Sequence, residues 1–324
     1  MEARSRNRGD NVNMTFVDKV SVSGATVVEA TATDGSVRKV LQVADPNALT
    51  QIVGHAKYRS GSTVVLRGHA RLHPSLVPSL FRGTASANER QHRMEALAGY
   101  VHTLYGGLCP CQAAGGAPSC VPNWPCQGRS GAEKTGLLKG THMVAIEPLL
   151  QHYGVKTRWI DVVDNVWVAL WFGCHELQTK GRYGHHARRN PETAASPWAY
   201  VTLIDVGQQA ATAVPGVQRN KSARLIDLRL AAPSLYVRPH AQHALLAASG
   251  DWSPGNDPDL SGFEMATVQI PLREALAWLG NGVSLTPYVL FPPADRDEGF
   301  RRFLEYSASP PAILGDFVHY GPGW

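Results

Sequence analysis

The chain has 324 residues, and 44% of them are hydrophobic, which supplies enough apolar material for a substantial folded core. This composition excludes a disordered chain, and without a run of eighteen apolar residues we expect no membrane span. The start of the chain is charged and contains no apolar stretch, so we expect no secretory signal and a cytoplasmic location. The net charge of +5 is compatible with an anionic ligand but does not by itself predict one.

The first predicted elements are a hairpin and a helix. Alternating and β-branched residues over 20–43 are interrupted by Asp34-Gly35, a dipeptide typical of the turn in a β-hairpin. Residues 45–58 then predict a helix, because Asp45 provides an N-cap and Pro46 occupies the first helical position. The chain therefore begins with a small α/β unit.

The rest of the chain mixes strands and helices. Further strands are predicted at 63–67, 198–206, 225–230, 235–237 and 265–270, and further helices at 88–105, 147–152, 272–279 and 300–306. Residues 106–140, rich in Gly, Pro, Ala and Cys, indicate an insertion or long loop, and 181–197 indicates a polar loop. Because no regular βαβ period is present, the predicted fold class is α+β, with mixed, mostly antiparallel sheets and flanking helices.

The most informative segment is 151–173, where polar residues directly precede an apolar helix. A loop from Gln151 to Gly154 leads into a short strand that carries Arg158 and Asp161. Charged groups at a junction between strand and helix can converge on a cleft, so this pattern predicts a site. Arg158 and Asp161 have the spacing of opposite strand faces, and they either share that cleft or form a structural ion pair.

The helix after this strand is predicted to begin at about Asn165. Trp167, Trp171 and Phe172 have helical spacing and are predicted to lie in the core. His152 has two interpretations, a ligand contact or a capping or core histidine.

Cysteines are concentrated in residues 109–126, whereas Cys174 stands apart. Clustered thiols in a cytosolic chain are more typical of metal ligands than of disulfides, and they predict a structural zinc site in the insertion. The predicted ligands are Cys109, Cys111, Cys120 and Cys126. The Cys-x-Cys spacing is tighter than usual, and the alternative is a loop that Trp124 and several prolines order without metal.

Several motifs are spread along the chain. They are Val65-Leu66-Arg67-Gly68-His69 with residues 74–82; Gln151-His152-Tyr153-Gly154 with Thr157, Arg158, Asp161, Ala169, Leu170 and Phe172; Arg238 with Gln242; and Leu290-Phe291-Pro292. In these motifs the chain resembles the FRG domain family over about residues 60–306. It departs from the family pattern at Leu66, Lys156 and Val162-Val163.

The resemblance implies a division of the chain into three parts. Residues 1–57 would form a leader and a small α/β extension, and residues 58–310 the FRG domain. The cysteine-rich insertion at about 106–140 would interrupt that domain, and residues 311–324 would form a C-terminal tail.

The layout of the family looks like that of ADP-ribosyltransferases of the Arg-Ser-Glu type, which implies an ADP-ribosyltransferase-like fold and NAD as substrate. An arginine holds the diphosphate by charge-assisted hydrogen bonds, and a carboxylate stabilises the cationic transition state. Gln242 stands where such enzymes have Glu, so Asp161 is the alternative carboxylate and Glu264 a more distant one. The implied catalytic residues are Arg67, Asp161 and Gln242. The implied NAD-binding residues are Arg67, Gly68, Gln151, His152, Tyr153 and Arg158.

Two functions remain open. The first is an enzyme that cleaves NAD and transfers ADP-ribose to a protein, a nucleic acid or water, as a bacterial toxin or antiphage defence protein would. Such an enzyme implies an antitoxin or regulatory partner. No membrane association is expected, because the sequence contains no apolar span. The second is a non-catalytic module that binds a nucleotide or nucleic acid through Arg67, Arg82 and Arg158. Release of nicotinamide from labelled NAD distinguishes them.

Overall fold

The computed structural model of the chain describes residues 14–17, 20–104, 138, 141–250, 253–283, 285–305 and 309–320. The four clustered cysteines and most of the expected insertion lie outside these residues. The predictions of an insertion and of a zinc site therefore stay predictions.

The described strands form a large sheet and a small one. Their bounds are β1 (Ala25–Thr31), β2 (Val37–Val43), β3 (Val64–His69), β4 (Ile160–Val163), β5 (His175–Lys180), β6 (Tyr183–Arg188), β7 (Trp198–Asp205), β8 (Ala210–Ala211), β9 (Val217–Arg219), β10 (Ala223–Asp227), β11 (Ala244–Ser249), β12 (Glu264–Pro271) and β13 (His319–Tyr320). The ten-stranded sheet has the order β1-β2-β12-β7-β3-β4-β11-β10-β9-β8, and the three-stranded sheet has the order β13-β6-β5. Of the strand pairs in these residues, only β2–β12 and β13–β6 are parallel, so the sheets are mostly antiparallel, as predicted.

Helices flank the large sheet, which confirms the α+β class. Their bounds are α1 (Met14–Val17), α2 (Pro46–Ser60), α3 (Ala87–Leu104), α4 (Met143–His152), α5 (Val166–Cys174), α6 (Leu228–Ala231), α7 (Val237–Ala241), α8 (Leu272–Trp278), α9 (Pro287–Leu290) and α10 (Glu298–Glu305). In the part of the chain that the structure describes, none of these helices has both the length and the apolar character needed to cross a bilayer.

Local signals account for several boundaries. Asp45 caps α2 by accepting hydrogen bonds from the amides of Asn47 and Ala48, and Pro46 is the first residue of the helix. The side chain of Asn165 caps α5 in the same way. These helix starts, and the hairpin of β1 and β2, are confirmed.

Three predictions of local structure were wrong in whole or in part. The strand predicted at 225–230 ends at Asp227, where helix α6 begins. Residues 235–237 are not a strand, because β10 and β11 are antiparallel neighbours and the chain between them reverses through the short helices α6 and α7. Residues 181–197 are not simply a loop, since β5 and β6 pair across Gly181, which has a φ of 62°. A left-handed turn of this kind suits glycine.

Two apolar clusters cover the same face of the large sheet. Helices α2, α5 and α8 pack with Leu66 in one cluster, and α3, α4 and α10 pack with Ala244 and Leu246 in the other. Leu66 pairs with Val163, which pairs in turn with Ala244, and residues paired across strands share a face. A cavity lies between the two clusters, and it forms the candidate site.

Both ends of the described chain join this framework. Strand β2 pairs with β12, so the expected N-terminal extension is continuous with the large sheet. Strand β13 pairs with β6 in the small sheet, and its Tyr320 lines the cavity. The expected C-terminal tail therefore contributes a side chain to the site.

Candidate functional site

The candidate site opens where two neighbouring strands separate. Strands β3 and β4 are paired only at Leu66 and Val163, and beyond that pair they diverge. The carbonyl oxygen of Asp161 accepts a hydrogen bond from Nη1 of Arg67. The side chain of Arg67 therefore links the two strands beyond their single backbone pair.

Gln151 fixes the orientation of the Asp161 carboxylate. Its Oε1 accepts hydrogen bonds from Oγ1 of Thr157 at 2.9 Å and from Oγ of Ser79 at 3.1 Å. Because the amide oxygen is held by these donors, its nitrogen faces Asp161 and donates to Oδ2 at 2.9 Å. The matched positions Gln151, Thr157 and Asp161 thus form one connected set of hydrogen bonds.

His152 completes the polar side of the cavity. Its side chain is 5% exposed, and its Nδ1 lies 3.7 Å from Oδ1 of Asp161, whose side chain is 44% exposed. Within the described residues its Nε2 is buried and has no hydrogen-bond partner. A proton on Nδ1, facing the carboxylate, would leave Nε2 as an acceptor toward a ligand.

The carboxylate of Asp161 is held in its charged form. Partial burial acts to raise its pKa, but the contact with His152, the charge of Arg67 and the hydrogen bond from Gln151 outweigh it and lower the pKa below the usual value. The pKa of Arg67 is lowered by burial, an effect that Asp161 opposes and Arg82 reinforces. Arginine nevertheless stays protonated at neutral pH. The site therefore presents one anion and one cation.

Aromatic side chains form a second wall of the cavity. The rings of Phe291 and His186 stack at 4.3 Å between centroids, and those of Phe291 and Tyr320 at 4.4 Å. Phe172 meets Phe291 edge to face. Burial, with neighbouring positive groups, lowers the pKa of His186 to about 3, so the ring is neutral and suited to stacking.

A buried arginine supports this wall from behind. Arg238 is fully buried, and its guanidinium carbon lies 4.6 Å from the ring centre of Tyr320 and 4.5 Å from that of Tyr153. Its Nη1 donates to the carbonyl of His152 at 3.2 Å. Arg238 therefore ties the aromatic wall to the polar side through cation–π contacts and a hydrogen bond.

The cavity between these walls has a volume of about 290 Å³. Its polar lining residues are Arg67, Gln151, His152, Asp161 and Gln242; its ring-bearing residues are Phe172, His186, Phe291 and Tyr320; and its remaining lining residues are Leu66, Gly68, Val162, Val163, Leu177, Ala244 and Leu245. Gln242 is 4% exposed, and its amide nitrogen donates to the carbonyl of Leu290 at 2.7 Å. The amide nitrogen of Gln242 is thus already hydrogen-bonded within the protein.

Two expected ligand residues lie outside the lining of the cavity. Tyr153 is fully buried in the apolar core, and its hydroxyl donates to Oδ2 of Asp297 at 2.7 Å. Arg158 is also buried, and its Nε donates to Oε2 of Glu147 at 3.0 Å. Neither side chain lines the cavity, because each is held by a buried carboxylate, 144 positions away for Tyr153 and 11 positions away for Arg158. Arg158 does form an ion pair, with Glu147 and not with Asp161.

Replacing Tyr153 by phenylalanine tests the placement of this residue in the core. We expect a loss of about 1–3 kcal/mol in the free energy of unfolding, because Asp297 loses a buried hydrogen bond. Ligand affinity is expected to stay unchanged. Urea denaturation and NAD titration measure the two effects. Tyr288→Phe is the matched control, since Tyr288 is 60% exposed. Weakened NAD binding with unchanged stability would contradict the placement.

The sequence motifs did not indicate the aromatic wall. Phe291 lay in a recognised motif without a role, Phe172 was predicted to lie in the core, and His186 lay in an expected loop. Tyr320 follows the region of resemblance. The zinc prediction concerns cysteines outside the described residues, and no cluster of three or more potential metal ligands occurs among the residues that are described.

Comparison with known proteins yields one finding. A family model described as FRG domain matches residues 131–182. The match includes Gln151, Asp161 and helix α5, and it supports the FRG resemblance for the polar side of the cavity. No curated protein and no solved structure matches the chain.

Proposed function

We propose that this chain cleaves NAD at the bond between nicotinamide and ribose, and transfers the ADP-ribose to a macromolecule or to water. The observation that carries the proposal is the cavity that Arg67 and the charged Asp161 line together with neutral aromatic and imidazole rings. A dinucleotide with a planar aromatic leaving group and a diphosphate matches both sides. The resemblance to ADP-ribosyltransferases supports the same chemistry.

The two walls suit the two ends of the reacting bond. The rings of His186, Phe291 and Tyr320 offer flat faces for nicotinamide. Arg67 presents a guanidinium, which binds phosphate oxygens by charge-assisted hydrogen bonds. Nε2 of His152, which has no partner among the described residues, would accept a hydrogen bond from the nicotinamide carboxamide.

The charge of Asp161 suits the transition state. As the bond between C1′ and nitrogen breaks, the bonding electron pair leaves with nicotinamide and positive charge develops on the ribose. A carboxylate close to the sugar stabilises that charge. The acceptor nucleophile then donates an electron pair to C1′ and loses its proton to water or to a carboxylate. In this role Gln151 is a positioning residue, since it holds the carboxylate.

Gln242 favours an alternative, a module that binds a nucleotide without cleaving it. Its amide is neutral and donates to Leu290, so it supplies no negative charge to the transition state. In that case the cavity would bind NAD or another nucleotide with no release of nicotinamide. If the chain is an enzyme, the negative charge near the ribose therefore comes from Asp161 and not from Gln242.

Nicotinamide release from labelled NAD tests the proposal, with Arg67→Gln as the first variant. We expect release by the wild-type chain, and a value of kcat/KM lower by about 10–100-fold in the variant, the range for a lost hydrogen bond to a charged group. Chromatography of the labelled products measures it.

Arg273→Gln is the control, because Arg273 is 71% exposed and lines neither this cavity nor its neighbour. NAD binding without release by the wild-type chain, with or without cell extract, would refute the enzyme and favour the binding module. Circular dichroism shows whether each variant keeps its fold.

We also propose a biological setting for this activity and a structural metal ion. ADP-ribosylation of a macromolecule would suit a toxin or a defence protein, which would need an antitoxin or another regulatory partner. The clustered cysteines would hold a structural zinc ion, and metal analysis of the purified chain tests that proposal separately.

A further inference from the structure

A second, larger cavity of about 700 Å³ adjoins the first. The two share Arg67, Gly68 and Leu177 in their linings. A group bound in the second cavity would therefore lie next to the site where we propose that the bond to C1′ breaks. This position is the one that an acceptor of ADP-ribose must occupy.

The second cavity is cationic. Arg67, Arg71 and Arg82 line it, and Glu176 is the one carboxylate among its described lining residues. Glu176 already has cations nearby, since its Oε1 lies 3.8 Å from Nε of Arg71 and 3.9 Å from that of Arg189. The cavity therefore has an excess of positive charge that an anionic ligand would balance.

Three imidazole rings line this cavity, those of His69, His73 and His175, and the first two lie close together. The ring centres of His69 and His73 are 5.5 Å apart, and Nε2 of His69 is buried without a hydrogen-bond partner in the described residues. Burial and the neighbouring arginines lower the pKa of both histidines, so the rings are neutral. Neutral rings beside guanidinium groups are suited to stacking on bases while the arginines contact phosphates.

The outer part of the cavity is open to a large ligand. The side chain of Arg71 is 53% exposed, and Arg82 is also exposed. Arg67, in contrast, lies at the boundary with the first cavity, where it is available to the diphosphate of NAD. The two outer arginines lie where the backbone of a polymer could reach them.

We propose that the second cavity binds the phosphates of a single-stranded nucleic acid, which makes nucleic acid the acceptor of ADP-ribose. This inference deepens the proposed function, and the role of the nucleic acid as acceptor rests on that function. A nitrogen or oxygen of the strand would donate its electron pair to C1′ as nicotinamide leaves with the bonding pair. The proton of that nucleophile passes to water.

The test is binding of a fluorescent single-stranded oligonucleotide to the full chain, followed by anisotropy in the absence of NAD. We expect the double variant Arg71→Gln/Arg82→Gln to bind at least about 10-fold more weakly, because two phosphate contacts are lost. The slope of log affinity against log salt concentration is expected to fall by about 1.4, which is about 0.7 for each phosphate contact. Arg71→Gln alone should show about half of that change in slope.

The matched control is Arg273→Gln/Arg296→Gln, which removes the same charge from side chains that are 71% and 70% exposed. It should bind within about twofold of wild type, as expected for exposed charges away from the contact. An equal loss in the control would mean that net charge alone attracts the strand, and the proposal would be wrong.

Two further measurements distinguish the nucleic acid from NAD and from an acidic polypeptide as the ligand of these arginines. If the double variant raises KM for NAD but keeps its affinity for the oligonucleotide, the arginines serve the diphosphate of NAD and the proposal is wrong. Tighter binding of polyglutamate than of the oligonucleotide would equally overturn it. Because the binding assay needs no NAD, loss of oligonucleotide binding in the double variant supports the site even if nicotinamide release is never seen.

Discussion

Replacing Asp161 by asparagine is expected to lower the rate of nicotinamide release by about 10²–10³-fold, the effect of removing one preorganised electrostatic group. The substitution keeps the shape of the side chain and removes the charge that would face the ribose cation. We expect kcat to fall more than the affinity for NAD, because the charge matters most in the transition state. Steady-state kinetics with labelled NAD separates the two terms.

Asp295→Asn is the matched control, since the side chain of Asp295 is 72% exposed and lines neither cavity. It should leave kcat and stability unchanged. In Asp161→Asn the new side-chain amide can still contact Gln151, and circular dichroism checks that the fold is kept. A variant with full activity would exclude Asp161 as the catalytic carboxylate.

The pH dependence of release provides a second readout of the same group. The pKa of Asp161 is lowered from its usual 3.8, so the carboxylate is charged throughout the neutral range. Release should therefore decline only as the pH falls through a value below 3.8, and Asp161→Asn should lack this acidic limb. The same depressed pKa contributes to stability above pH 3.8, and this contribution is lost as the pH falls through the folded value.

Local residue patterns predicted the elements that build the polar side of the site. Asp34-Gly35 and Asp45-Pro46 specify a turn and a helix start by backbone chemistry alone. The polar residues of 151–161 indicated a junction between strand and helix, and the structure brings Gln151, His152 and Asp161 together around one cavity. Here short-range sequence order was enough, because Gln151 and Asp161 are only 10 positions apart in the chain.

Long-range packing explains what the sequence could not predict. Tyr153 belongs to the same motif as Gln151 and His152, but its side chain lies in the core. There its hydroxyl donates to Asp297 and its ring packs against Phe300 and Phe303. The aromatic wall combines residues from α5, β6, the segment after α9 and β13, and no local spacing indicates such a meeting. Pairing of Tyr320 with β6 depends on a contact between distant parts of the chain.

Gly68→Ala is expected to destabilise the fold by about 3 kcal/mol or more, at the upper end of the range for overpacking. A Cβ atom at this position would overlap the carbonyl oxygen of Ala169 and lie 2.9 Å from the amide nitrogen of Gly173. Both obstacles are backbone atoms of α5, which cannot move aside as a flexible side chain would. Urea denaturation of the variant measures the loss.

Arg67 and Gly68 thus have different roles in the motif that they share. Arg67 lines the site, and Gly68 lets α5 lie directly against β3. Gly54→Ala is the matched control, since Gly54 lies within α2 and no atom is within 4 Å of the added methyl group. That variant should be more stable by about 0.5–1 kcal/mol, because alanine favours the helix. If Gly68→Ala proved as stable as wild type, helix α5 would not be packed on the strand at this distance, and the wall that holds Phe172 would lie elsewhere.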